Sequence, residues 1–153
     1  MIVILAIVLM VLVDQAVKYW ALTDLSAQGT IPLLDGVFHL TYVENRGAAF
    51  GILQDQRWLF LLMTPVILAV LAYLLHKNYI RTRIGRLSLY LIAAGAVGNL
   101  IDRAWHGFVV DLFDFRLIHF PVFNVADIYV VVGVLLFFYY YLIQHDKAVQ
   151  GHD

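Results

Sequence analysis

Four stretches of the chain, at about 2–22, 58–75, 84–101 and 125–143, are almost wholly apolar, and each has the roughly 20 residues that a helix needs to cross a bilayer. With 63% of its 153 residues hydrophobic, and those in continuous runs rather than strict alternation, the chain reads as a polytopic membrane protein. No internal repeat and no Ser/Gly linker divides it, so residues 1–153 are expected to form a single integral membrane domain. The expected fold class is an all-α membrane bundle of four transmembrane helices with a small β-structured extracytoplasmic region. The opening run lacks the basic flank of a cleavable signal and continues past Asp14 to helix length, so it is expected to be a retained first span.

Charge and residue content exclude several functions. The net charge of −1 offers no basic stripe for phosphates, so no nucleic-acid partner is expected. The absence of cysteine removes disulfides, thiolate catalysis and Cys-based zinc. Orientation follows from the linker HKNYIRTRIGR, which carries Lys77, Arg81, Arg83 and Arg86 without an acid, whereas the opposite loops mix Arg46, Arg57, Arg103 and Arg116 with more acids. By the positive-inside rule that linker and both termini are cytoplasmic, and the opposite loops face outward.

Those outer loops carry structure of their own. Asp35-Gly36 between two apolar stretches signals a tight hairpin turn. Beyond it Phe38, Leu40 and Tyr42 alternate with His39 and Thr41, which predicts a half-exposed strand with His39 and Thr41 on its polar face. The run GFVVDLFDF provides a further strand, so a small sheet is expected on the membrane surface above the bundle. Ala94, Gly95 and Gly98 have the spacing that lets two helices approach closely. Tyr19, Trp20 and Trp58 are expected at the outer interface, and Tyr139, Tyr140 and Tyr141 form a candidate belt at the inner one.

Asp111 and Asp127 stand at the edges of the third and fourth apolar segments, on the same membrane face. Burying Asp near a helix centre costs roughly 2.5 to 3.5 kcal/mol, so a carboxylate at membrane depth needs a pairing, aqueous or catalytic reason. Other chemistries are poorly served. The only serines are Ser26 in a loop, conceivably paired with Lys18, and Ser88 toward the cytoplasmic side; no HExxH helix presents imidazoles for zinc. Asp111, Asp114 and Asp127 lack the further oxygens usual for a hard cation, so no metal is expected. Two aspartates within hydrogen-bond reach share a proton, one activating water while the other polarises a carbonyl. Each acid taken singly has a structural explanation too: Asp127 complements a helix start, and Asp102 beside Arg103 forms an ion pair. A proton-coupled transporter also places acids in a bundle, and a non-catalytic assembly or lipid-binding protein would explain the bundle without the carboxylate pair.

Five ordered blocks narrow the field: DQAVKYW at 14–20, ENRGAAFGI at 44–52, GAVGNLIDR at 95–103, GFVVDLFDF at 107–115 and FNVADIYV at 123–130. Together they resemble the lipoprotein signal peptidases (signal peptidase II), intramembrane aspartic peptidases of the bacterial inner membrane. The resemblance implies that Asp111 and Asp127 are the catalytic pair. It implies that Asp14, Lys18, Asn45, Arg46, Gly47, Asn99, Asp102, Arg103 and Asn124 bind substrate or shape the site. It implies diacylglyceryl-modified prolipoproteins as substrates, cut just before the lipidated cysteine, membrane lipids as surroundings, inhibition by globomycin-type cyclic peptides, and no cofactor. The chain is expected to act as a monomer with its site at the outer face. Asp14 and Lys18, spaced i, i+4, share one helix face and either neutralise each other or shape the site. Arg103 offers a fork of donors for a backbone carbonyl or lipid ester, with Asn45 and Asn124 as weaker donors. Gly47 and Gly51 allow a loop to approach substrate or simply turn.

Overall fold

A computed structural model describes residues 2–48, 52–118 and 120–144. Four helices in it are long and apolar enough to span a bilayer, which makes this a multi-pass membrane protein. Helix α1 (Ile2–Trp20) continues through a π-helical turn, Ala21–Leu25, into the single turn α2 (Ser26–Gln28), so the first span is longer than its hydropathy implies. It stops at Gly29, whose φ of +73° is a left-handed conformation that glycine adopts without Cβ strain. Helix α3 (Arg57–His76) and helix α4 (Arg83–Trp105) form the second and third spans. Helix α5 (Val125–Tyr139) forms the fourth and ends in a second π-helical turn, Tyr140–Gln144.

Helix α4 runs a turn beyond the predicted 84–101, which puts Asp102 and Arg103 on the helix rather than in a loop. Thr82 caps its start by accepting from the Gly85 N–H at 3.1 Å. At the other end Arg57 donates to the Arg103 and Ala104 carbonyls at 2.7 and 2.9 Å, satisfying groups that the helix itself leaves open. The small-residue stripe behaves as expected: Ala94, Gly95 and Gly98 are buried, and α5 lies against them. A Cβ on Gly95 would collide with the Ala126 backbone oxygen and stand 2.7 Å from Val130 Cγ2, so only a hydrogen fits there. Toward lipid the pattern inverts, with Ile4, Leu5 and Leu62 all exposed on the bundle exterior. Tyr140 departs from the expected belt. It is buried with Ile80 and Leu89 at the end of the bundle away from the sheet, because the π turn rotates it onto α4.

Three antiparallel strands, in the order β1-β2-β3, cap one end of the bundle: β1 (Thr30–Leu34), β2 (Phe38–Asn45) and β3 (Val109–Phe115). The hairpin turn falls at Asp35-Gly36 as expected, with Gly36 at φ +70° and Val37 N–H donating to the Leu34 carbonyl at 3.0 Å. His39 is not on a polar exposed face. It is buried, because β3 flanks β2 and pairs Asp114 against it. Val110 and Leu112 pack with Ala21 and Leu25, so the π-helical turn of the first span is the floor on which β3 rests.

Candidate active site

Asp111 and Asp127 come from different elements, and the chain between them supplies the connection. Residue Phe123 pairs with Phe113 of β3: Phe113 N–H donates to the Phe123 carbonyl at 2.8 Å and Phe123 N–H returns a bond at 3.1 Å. That bridge lies two residues after Asp111 and one before Asn124, which begins α5. Asn124 is an N-cap, its side chain accepting from Asp127 N–H at 2.9 Å, while Asp127 Oδ2 accepts from Asn124 N–H at 3.2 Å. This reciprocal capping box fixes the first turn of α5. The helix-start explanation for Asp127 is therefore correct as far as it goes, and it engages only Oδ2 of the carboxylate.

The amide of Asn124 also reaches the other acid, donating to Asp111 Oδ1 at 2.7 Å. Asn45 on β2 donates to Asp111 Oδ2 at 2.9 Å, and is held by Gly47 N–H at 3.0 Å on its own oxygen. Asn99 on α4 donates to Asp127 Oδ1 at 2.8 Å. Both carboxyls thus sit in a ring of three asparagine amides and line one cleft of about 730 Å³. Asn45, Asn99 and Arg103 supply its polar wall, and Phe120, Phe123 and Val131 belong to its apolar one.

The electrostatics of Asp111 follow from this placement. It is 2% exposed, and burial, then the charge of Asp127, push its carboxyl up to about 7 against the opposing hydrogen bonds of Asn45 and Asn124 and the charge of Lys18. Asp114, three residues on, faces elsewhere. Slight burial pushes its carboxyl up, but hydrogen bonds from Arg116 and Thr41 and the Arg116 charge prevail and hold it below the usual range.

The other sequence-predicted residues divide clearly. Arg103 donates to the Gly47 carbonyl at 2.8 Å and lies 4.2 Å above the Phe60 ring, so it ties the loop after β2 to α4. Arg46 turns outward to Glu44 at 3.1 Å and does not line the cleft. A Cβ on Gly47 would lie 2.6 Å from the Ile52 carbonyl, so a close backbone approach explains this glycine; Gly51 lies outside the described residues. Asp14, Lys18 and Asp102 are buried together, with Lys18 Nζ 3.0 Å from Asp14 and 3.1 Å from Asp102. Asp102 therefore pairs with Lys18 and not with its neighbour Arg103. Ser26 has no part in this, since its hydroxyl donates to the Leu22 carbonyl. Gln15 is the residue that sequence reasoning missed. It donates to Asp102 Oδ1 at 2.9 Å, and its signal was a third polar side chain, i, i+3 from Lys18, inside an apolar run.

Comparison with known proteins agrees over nearly the full length. The profile of the family described as Signal peptidase (SPase) II matches residues 6–143. A lipoprotein signal peptidase of Clostridioides difficile is 49% identical over 152 residues, covering 97% of this chain and 99% of that one. One of Halothermothrix orenii is 44% identical over 144 residues, covering 94% and 97%. Two solved bacterial membrane enzymes, both obtained by the in meso method, superpose with TM-scores of 0.86 and 0.83 at 32% and 33% identity. The first alignment covers 99% of this chain and 91% of its counterpart, the second 93% of each. By profile, by sequence and by fold, this chain belongs to the signal peptidase II family.

Proposed function

We propose that this membrane peptidase, which as a member of that family removes signal peptides from prolipoproteins, is an aspartic endopeptidase in which Asp111 and Asp127 form one catalytic dyad, cutting just before a diacylglyceryl-modified cysteine. The observation that carries this reading is a buried acid, Asp111, whose carboxyl is pushed up to about 7 beside a second acid in the same cleft. Asp127 stands in the first turn of α5, held by the Asn124 N–H on Oδ2 and the Asn99 amide on Oδ1.

The reaction then balances without a cofactor. Asp127 takes a proton from water as the oxygen attacks the scissile carbonyl carbon, and Asp111 gives its proton to the carbonyl oxygen. The resulting tetrahedral diol collapses as the C–N bond breaks. Asp127 passes the acquired proton to the leaving amine, and a diol hydroxyl returns one to Asp111. The apolar wall of the cleft suits a signal-peptide segment and the acyl chains beside it, and Arg103 and Asn45 are placed to donate to main-chain carbonyls of the substrate. The basic linker from Lys77 to Arg86 is on the cytoplasmic side in this reading, so the cleft opens to the outer face, where a lipid-anchored cysteine rests. Globomycin-type peptides would compete for the same cleft, and one chain holds all the residues invoked.

The test uses purified protein and a lipidated prolipoprotein substrate. Asp111→Asn and Asp127→Asn each keep shape and hydrogen-bonding capacity but cannot exchange the shared proton, so each should abolish cleavage while the protein stays folded. The double variant should be no worse than either single one, because the pair acts as a unit. Asp114→Asn should retain turnover, since Asp114 is bound to Thr41 and Arg116. Substantial cleavage by either Asp111→Asn or Asp127→Asn, free of host peptidase, removes the dyad.

A further inference from the structure

Lys18 is 2% exposed, yet it carries a full set of partners inside the bundle. Besides Asp14 and Asp102, its ammonium donates to Asn99 Oδ1 at 2.9 Å, so all three of its donors are engaged. Burying a lysine with two carboxyl groups is costly, and one ammonium set against two acids is more than a simple ion pair. Mutual neutralisation of Asp14 and Lys18 alone therefore does not account for the arrangement. The far sides of the two carboxylates do.

Asp14 Oδ1 accepts from the N–H of Ala126 at 2.8 Å, and Asp102 Oδ2 accepts from the N–H of Val110 at 3.0 Å. Ala126 is the residue before Asp127, and Val110 is the residue before Asp111. The Ala126 N–H belongs to the first turn of α5 and has no acceptor within its own helix. Each acid of the dyad is thus gripped through the N–H of the residue immediately before it, one from α1 and one from α4, and a single ammonium joins the two grips. The third arm has the same effect on the side chains. With its oxygen committed to Lys18 and, at 3.2 Å, to the Asn124 amide, Asn99 must turn its own amide toward Asp127. Gly98 keeps the space clear: a Cβ there would lie 2.5 Å from Asp14 Oδ2.

We propose that Lys18, with Asp14 and Asp102, is a positioning clamp that sets the spacing of Asp111 and Asp127 by fixing the N–H of the residue before each acid and the amide of Asn99 on Asp127. The inference rests on the dyad reading above. Lys18 touches no substrate in this role. It acts through the main chain, so its removal should lower kcat and leave KM nearly unchanged.

Lys18→Met keeps the length of the side chain and deletes all three donors. We expect kcat to fall about a hundredfold, the scale of a misplacement near 1 Å, with KM within threefold of the parent. The charged groups facing Asp111 are Asp127 from α5, Lys18 from α1 and Arg103 from α4. Because the ammonium favours the charged form of Asp111, the alkaline limb of the rate profile should also move to higher pH in Lys18→Met. The triple variant Lys18→Met, Asp14→Asn, Asp102→Asn removes every buried charge of the trio while leaving carbonyl oxygens for the Ala126 and Val110 N–H groups. It should fold, and its kcat should stay at least tenfold down. Recovery of the parental kcat in the triple variant would mean that charge balance was the whole role, and failure of both variants to fold would reduce the trio to scaffold; either result overturns the clamp. Asp111→Asn and Asp127→Asn run alongside separate the two claims. If they are inactive while Lys18→Met turns over normally, the dyad stands and the clamp falls; if they remain active, the dyad itself falls.

Discussion

Asn124→Ala is the substitution whose consequences the structure specifies most fully. The side chain is 0% exposed and makes three bonds: it accepts from Asp127 N–H at 2.9 Å and donates to Asp111 Oδ1 at 2.7 Å and to Asn99 Oδ1 at 3.2 Å. Losing an N-cap costs about 1 kcal/mol. Losing the donation to Asp111 costs about 1 kcal/mol more, since side-chain hydrogen bonds between membrane helices average somewhat below that and this one is short. The longer bond to Asn99 adds a few tenths, because Lys18 still satisfies that oxygen. The total is about 2 to 3 kcal/mol. Asn124→Ser keeps a capping oxygen and loses the amide, so it should recover about 1 kcal/mol of this. Reversible unfolding by SDS titration in mixed micelles, followed through Trp20, Trp58 and Trp105, measures both variants. Cleavage assays should show kcat falling in each. The alkaline limb should move upward, since the Asn124 amide is one of the groups that lowers the Asp111 carboxyl. An Asn124→Ala protein within about 0.5 kcal/mol of the parent, the ordinary scatter of surface changes, would refute the reasoning, as would equal stability of the Ala and Ser variants.

Because the Asp111 carboxyl is raised from 3.8 to about 7, the folded protein holds a proton there that the unfolded chain has lost. Its contribution to stability is complete below pH 3.8 and disappears as pH rises through about 7, and the cleavage rate should fall over the same alkaline limb; Asp111→Asn should remove this part of the stability profile. Gly95→Ala brings a methyl group against the Ala126 carbonyl, a backbone contact that cannot yield without moving α5, so we expect a loss of about 1 to 3 kcal/mol and a large fall in turnover, read by SDS titration and cleavage. The chain has no cysteine of its own, so Asp35→Cys, whose side chain is 99% exposed, should react with an impermeant reagent added outside intact cells while Asn78→Cys stays protected. The reverse labelling would invert the topology.

The spans and the β-hairpin were legible in the chain because their causes are local. Hydropathy over 20 residues reports burial in lipid directly, and Asp35-Gly36 supplies a left-handed turn wherever its strands go. Boundaries were less so: the first span runs on to Gln28 and α4 to Trp105, because π-helical winding and the Arg57 cap on the α4 carbonyls depend on neighbours. The acids at 111 and 127 stood out one at a time as costly residues beside apolar runs, and their common membrane face followed from the spacing of the spans. Their hydrogen-bonding ring did not, since Asn45, Asn99 and Asn124 lie on three elements brought together only by the β2–β3 pairing and the bridge from Phe113 to Phe123. Lys18 shows the division most clearly. The i, i+4 spacing announces its pairing with Asp14 on one helix face. That the same ammonium meets Asp102 and Asn99, and that the two carboxylates end on the N–H groups before Asp127 and Asp111, is decided by the packing of α1 against α4 and α5, because hydrogen bonds between side chains and distant main chain leave no periodic trace in a sequence.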